Sequence, residues 1–258
     1  MSRGAGVALG IRQIRYFNKA FWRNPASAFF TFIFPLMFLV IFTSLLGNGE
    51  TQVGGRTVKD ATYYVASMAA FSVITACYTN VAMGLAFQRD EGTLKRIRGT
   101  PIPPTAFLLA RVAFSMLVAL LLVTICATFG AALYGATIPS GATLLRFLAM
   151  LLAGAGSFAA LGIAVTAIIP NADAAPPVVN ATVLPLLFLS GIFIPIGDDA
   201  PGWITLIGKI FPVSHFLKGM SSAFLGTPFE WGDVLVVAIW GVAGLALAIR
   251  FFSWEPRS

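Results

Sequence analysis

The densest run of charge in the chain is Gln88-Arg89-Asp90-Glu91-Gly92-Thr93-Leu94-Lys95-Arg96-Ile97-Arg98-Gly99-Thr100-Pro101-Ile102-Pro103-Pro104. Leu94 and Ile97 are three apart and share one helical face. Glu91 precedes Lys95 by four, the favourable order for a helical ion pair. Pro101, Pro103 and Pro104 stop any helix there. Over residues 90–98 this pattern predicts a short, rigid, amphipathic helix suited to docking a partner; a solvated turn that fixes topology is the plainer alternative. Catalytic chemistry is poorly supplied elsewhere. His215 is the single histidine, so a zinc site built on several histidines is excluded. Ser157 and Ser190 lack the Gly-x-Ser-x-Gly frame of a serine hydrolase. A phosphate-binding loop needs Gly-x-x-x-x-Gly-Lys-[Ser/Thr]. The nearest stretch, Gly202 to Gly208-Lys209-Ile210, has the wrong spacing and no hydroxyl. The sequence therefore predicts no ATP hydrolysis by this chain alone, no metal and no cofactor of its own.

The elements that must position that charged run are apolar. Hydrophobic residues make up 58% of the 258 and charged ones 10%, against about 25% charged in ordinary globular proteins. Stretches without Asp, Glu, Lys or Arg cover 24–49, 61–88, 112–145, 147–172, 174–197 and 234–249. A bilayer-crossing helix needs about 20 apolar residues. The fold class predicted is an all-α integral membrane protein, a single domain over 1–258. Its six spans are expected at 26–46, 62–88, 104–134, 143–169, 176–196 and 233–253. Continuously apolar runs, rather than alternating ones, exclude a membrane β-barrel. A soluble bundle and a disulfide scaffold are excluded too; Cys77 and Cys126 fall inside spans as small packing residues. No acidic residue sits in the middle of a span, which argues against a proton- or sodium-coupled pump.

Orientation follows from basic residues. With the N-terminus inside and six spans, 12 of 17 Lys and Arg lie on the inner side; Arg56, Lys59, Arg146, Lys209 and Lys218 lie outside. The positive-inside rule then predicts a multi-pass cell-membrane protein with both termini cytoplasmic. The net charge of +7 is a topology signal, and no soluble basic surface exists for nucleic acid.

Residues 7–23 read as an amphipathic helix lying in the membrane interface among lipid headgroups. Val7, Ile11, Ile14, Phe17, Phe21 and Trp22 form its apolar face, and Arg12, Arg15, Lys19 and Arg23 a basic stripe. Asn24-Pro25 ends it. Span two carries Thr75, Tyr78, Thr79 and Asn80; span five carries Asn180, Pro185 and Ser190. Such groups either glue helices together or line a conduit. Span four holds Gly154, Gly156 and Gly162, which permit close helix approach. Two apolar pieces within 201–225 are too short to cross and are expected to dip in and return.

The run Glu91 to Pro103, the segment Leu189-Ser190-Gly191-Ile192-Phe193-Ile194-Pro195 and the Pro-containing stretch reaching Pro212 together resemble the permease subunit of type-2 ABC exporters, most closely the antibiotic, daunorubicin-like branch. The resemblance covers essentially the whole chain. It implies a dimer with a second permease copy or homologue, joined to two cytoplasmic ATPase subunits that bring ATP and Mg. In it residues 7–23 become a connecting helix, with Arg12, Arg15, Lys19, Trp22 and Arg23. Glu91, Thr93, Leu94, Lys95, Arg96, Ile97 and Arg98 become the coupling helix, and 201–225 two re-entrant helices. Spans one, two and five would line the conduit. Phe71, Thr75, Thr79, Asn80, Asn180, Pro185 and Ser190 are the lining candidates, for a hydrophobic or amphipathic cargo such as a drug or lipid. A membrane enzyme or passive scaffold is the competing reading.

Overall fold

The computed structural model describes residues 3–46, 49–53, 56–136, 138–197 and 200–255. Eleven α-helices and one β-hairpin follow in chain order: α1 (Arg3–Arg23), α2 (Pro25–Leu46), β1 (Glu50–Val53), β2 (Arg56–Lys59), α3 (Asp60–Ile74), α4 (Asn80–Asp90), α5 (Thr93–Arg98), α6 (Pro104–Tyr134), α7 (Ala142–Val165), α8 (Ala175–Phe188), α9 (Gly202–Ile210), α10 (Pro212–Leu225) and α11 (Trp231–Phe251). Among the described residues five helices are long and apolar enough to cross a membrane: Ala28–Leu45, Asp60–Asp90, Pro104–Tyr134, Ala142–Val165 and Trp231–Phe251. These are built as the bilayer demands, each satisfying its own backbone hydrogen bonds.

Span two is the spine of the fold. α3 and α4 are one continuous helix interrupted by a π-turn, Thr75–Thr79. Every residue from Tyr63 to Ile74 is buried. It packs against α6, α7, α2 and α10, so lipid reaches little of it. The polar group Thr75, Tyr78 and Thr79 falls on the π-turn, where one extra residue is accommodated. At Gly162 of α7 a Cβ would lie 2.7 Å from the Tyr78 carbonyl oxygen, so the absence of a side chain lets α7 press against that turn. Gly154 performs the same service for the Phe216 ring, whereas nothing lies near Gly156. α2 and α11 are peripheral; Phe29, Phe30, Leu45, Val242 and Ile249 are exposed, as lipid-facing side chains must be.

The structure departs from the sequence reading in four places. The stretch after span one, expected as a loop, contains an antiparallel hairpin pairing Glu50 with Lys59 and Val53 with Arg56. The helix expected over 90–98 begins only at Thr93, because Gly92 takes φ +70° and breaks it from α4. Glu91 thus lies outside α5, and no ion pair joins it to Lys95. The third difference is span five, expected over 176–196. It is helical only over Ala175–Phe188, 14 residues or about 21 Å, short of the roughly 30 Å hydrocarbon core. Beyond it the chain runs non-helically through Gly191, at φ +90°. That irregular backbone is tolerated because protein surrounds it. Ile192 and Phe193 are buried, the Tyr63 hydroxyl donates to the Gly191 carbonyl, and Phe193 packs on Phe38, Phe71 and Phe188. The fourth is span four, which ends its helix at Val165 rather than 169 and continues as turns.

α9 and α10 are the two short helices expected within 201–225, split at Phe211-Pro212. α9 buries nothing. α10 is wedged between α3, α7 and α11, with Phe216, Met220 and Phe224 in the core.

Candidate functional sites

The charged run closes one end of the bundle, opposite the hairpin. α4 ends at Asp90 with Glu91 N–H bonded to the Phe87 carbonyl, and Gly92 N–H to that of Arg89. Gly92 then redirects the chain into α5, whose last turns are closed by Gly99 and Thr100 N–H groups and the Thr100 hydroxyl, 2.6 Å from the Ile97 carbonyl. Lys95, Arg96, Arg98 and Glu91 are exposed; Thr93 and Ile97 are half-buried. Leu94 is fully buried. The sequence reading had Leu94 and Ile97 docking outward together. Leu94 instead plugs α5 onto its own chain, and Ile97 is the apolar residue left near the surface.

Arg89 does the bracing, a role the sequence reading did not give it. It is 1% exposed. Its guanidinium donates to the Thr166 carbonyl at 2.9 Å, to the Ile169 carbonyl, and at 3.5 Å to that of Pro170. These carbonyls lie at and just beyond the C-terminus of α7, where the helix dipole is negative and acceptors lack intrahelical partners. One buried cation therefore fastens the root of α5 to the turn leading into α8. The signal available was an arginine immediately bounding a 28-residue charge-free run.

α1 lies at this same end, alongside α6. Phe17 is buried against Phe107 and Phe114, with ring centroids 5.4 and 6.1 Å apart, and Phe21 adds a contact to Phe114. Ile14 and Phe21 pack on the core, while Ile11 and Trp22 of the expected apolar face are exposed. Trp22 stacks on Phe32 of α2 and donates to Asn18. Arg12, Arg15, Lys19 and Arg23 are all exposed. Together with Lys95, Arg96 and Arg98 they present seven surface cations against Asp90, Glu91 and Asp173.

The conduit candidates do not form one surface. Phe71 is buried in the aromatic cluster with Phe38 and Phe193. Ser190 is buried and its hydroxyl donates to the Leu187 carbonyl at 2.9 Å. Thr75, Thr79 and Asn80 are half-buried, and Asn80 lines a cavity beneath α1. Only Asn180 and Pro185 are exposed, on the outer face of α8 with Leu184 and Phe188. What does join spans two and five is Tyr78, whose hydroxyl sits 2.7 Å from that of Thr182. At the hairpin end, His215 Nδ1 faces Asp233 Oδ1 at 2.5 Å and its Nε2 the Lys209 carbonyl at 3.0 Å, tying α9, α10 and α11 together. Trp240 adds a bond to the Ile210 carbonyl at 2.8 Å. Cys77 and Cys126 are free and buried, and among the described residues no group of three His, Cys, Asp or Glu could hold a metal.

The profile of the ABC-2 type transporter family matches residues 9–225, from within the amphipathic α1 to the end of α10. The chain belongs to that family. It is a multi-pass membrane protein of a family of transport permeases. Two proteins it is similar to are "Putative transport permease YvfS" of Bacillus subtilis (strain 168), 25% identical over 219 residues, 85% of this chain and 86% of that one, and "Putative transport permease ycf38" of Porphyra purpurea, 24% identical over 229 residues, 88% and 78%. The family match takes in the paired short helices and the α4–α5 turn.

Proposed function

We propose that this ABC-2 permease is the membrane half of an ATP-driven exporter, with α5 as the element that receives the stroke of a cytoplasmic ATPase. The carrying observation is the Arg89 brace: α5 is six residues long, yet its root is fixed by a buried cation to the α7–α8 turn and its Leu94 is sunk in the core. A force applied to α5 would be passed to α4, α7 and α8 instead of being lost in a loop. The exposed cations around it suit a partner surface rich in carboxylates. ATP and Mg would be bound by that partner, since no phosphate-binding loop exists here.

In this reading the α5 end and both termini are cytoplasmic, as the basic asymmetry implies. α8 with the irregular run to Gly197 makes a sixth crossing, so that α9 and α10 lie at the outer side. The exposed apolar faces of α2 and α8 suit a second permease copy, and Asn180 and Pro185 would then border the path at the seam. Because that face carries no charge, a hydrophobic or amphipathic cargo, drug-like or lipid-like, fits it better than an ion. The test is reconstitution in lipid with a candidate ABC ATPase that co-purifies with the chain. Compound-stimulated ATP hydrolysis that requires the permease supports the assignment; an ATPase that neither binds nor responds to it contradicts it.

A further inference from the structure

Arg111 is a second arginine within the apolar body, two turns into α6. Its guanidinium donates to the Asn80 carbonyl at 3.0 Å and lies 5.3 Å over the Phe17 ring. No carboxylate pairs with it among the described residues. Space for it is made at Gly84, where a Cβ would sit 1.9 Å from one of its terminal nitrogens. It borders a cavity of about 300 Å³ between α1, α4 and α6 that also includes Asn80, Gln88 and Ser115. Gln88 Oε1 is buried there without a hydrogen-bond partner, and its amide, turned about, would offer two donors instead. The cavity therefore holds a cation and polar side chains with unspent hydrogen-bonding capacity, and no anion of its own.

Its neighbours decide which anion. A second cavity of about 270 Å³ shares Phe21, Phe114 and Val118 with the first and continues to Trp22, Phe32 and Leu121. A third, of about 350 Å³, shares Trp22 and Phe32 and runs down α2 past Phe29 to Leu36. The three cavities thus adjoin in a row along α1, α2 and α6, the first holding Arg111, the second edged by Arg15 and Asn18 and the third wholly apolar, beside an amphipathic helix suited to headgroup depth. We propose that this row holds one anionic phospholipid, its phosphate on Arg111 and Gln88 and an acyl chain along Phe114, Phe32 and Phe29. A free phosphate would use only the first cavity; the adjoining cavities walled by Phe32, Phe29 and Leu36 are what commit the site to a lipid. Basic pockets between membrane helices at this depth recognise such headgroups. The proposal rests on the membrane reading alone and not on export or on an ATPase.

The experiment uses the full chain with its co-purifying subunits, equilibrated with phosphatidylcholine bilayers containing phosphatidylglycerol and extracted gently for native mass spectrometry. The unmodified protein should retain phosphatidylglycerol in preference to phosphatidylcholine. Arg111→Gln should lower that retention about tenfold, the loss of one charge-assisted contact. Ala20→Trp, which keeps the guanidinium and fills the first cavity from α1, should do the same, and it carries the test if Arg111→Gln does not fold. Arg146→Gln, an exposed cation at the other end, should leave retention unchanged. Equal retention in Ala20→Trp, no preference for the anionic lipid, or displacement by inorganic phosphate alone would overturn the proposal.

Discussion

The two ends of the bundle handle charge in opposite ways. At the α5 end the cations Lys95, Arg96, Arg98, Arg12, Arg15, Lys19 and Arg23 are exposed, while one arginine, Arg89, is sunk beneath them onto backbone carbonyls. At the hairpin end the exposed cations are fewer, Lys59, Arg146, Lys209 and Lys218, and part of the polar set turns inward: His215 meets Asp233 and the Lys209 carbonyl, and Ser214, Ser221 and Ser222 are buried in α10. One end is braced inside and left open outside. The other is closed upon itself by α9 and α10. On the proposed reading, the dense exposed charge over a rigid root is the end that a partner presses, and the end tied together by His215 and Asp233 is the one that seals.

Breaking the brace should have the largest effect. Arg89→Met leaves the Thr166 and Ile169 carbonyls without their donors and should cost about 3 kcal/mol or more, as for a buried charged hydrogen-bond donor set. Thermal unfolding in detergent would show it; a change within error would mean the guanidinium is not holding the turn. Next comes the pair that separates anchor from dock. Leu94→Ala should destabilise by about 2–4 kcal/mol because it opens a cavity in a fully buried site. Ile97→Ala, at a half-buried site, should lower melting less than Leu94→Ala and yet weaken ATPase binding more. If both behave alike, the helix presents both residues outward.

At the sealing end, His215→Ala strands the Asp233 carboxylate, and the expected cost is about 1–3 kcal/mol, read as earlier proteolysis within 197–232. Combining it with Asp233→Asn should add little, since the two act as one unit. The smallest effect on stability belongs to the exposed cations. Lys95, Arg96 and Arg98 changed together to Gln should shift unfolding by less than about 0.5 kcal/mol each. Their loss should nevertheless reduce ATPase association and its sensitivity to salt.

Much of this architecture is readable in charge spacing. Each candidate membrane-crossing helix holds most of one charge-free run, because depth in lipid is a matter of composition, though α6 starts eight residues before its run and stops eleven before the run's end. Composition does not report backbone geometry. Apolar runs of the same kind cover the regular α6, the π-turn at Thr75–Thr79 and the unwound stretch after Phe188. The candidate coupling segment was legible from its charge and prolines, but the direction of Leu94 was not. It depends on the turn at Gly92, which rotates α5 away from the frame of α4. Arg89 and Arg111 read simply as inner-side cations, yet the structure buries one and aims the other beneath α1. Polarity and helix-loosening residues mark most of the conduit candidates, but they do not report contacts: the Ser190 hydroxyl bonds the Leu187 carbonyl and the Phe71 ring packs on Phe193 within the same chain.

The claim that α5 is where an ATPase docks is tested most directly by site-directed cross-linking. In a background with Cys77→Ala and Cys126→Ala, Thr93→Cys and Thr227→Cys are placed singly and treated with a short bifunctional thiol reagent in membranes containing the ATPase. The account predicts a permease–ATPase adduct from Thr93→Cys that is suppressed when Lys95, Arg96 and Arg98 are replaced, and none from Thr227→Cys. An adduct from Thr227→Cys with none from Thr93→Cys would contradict it.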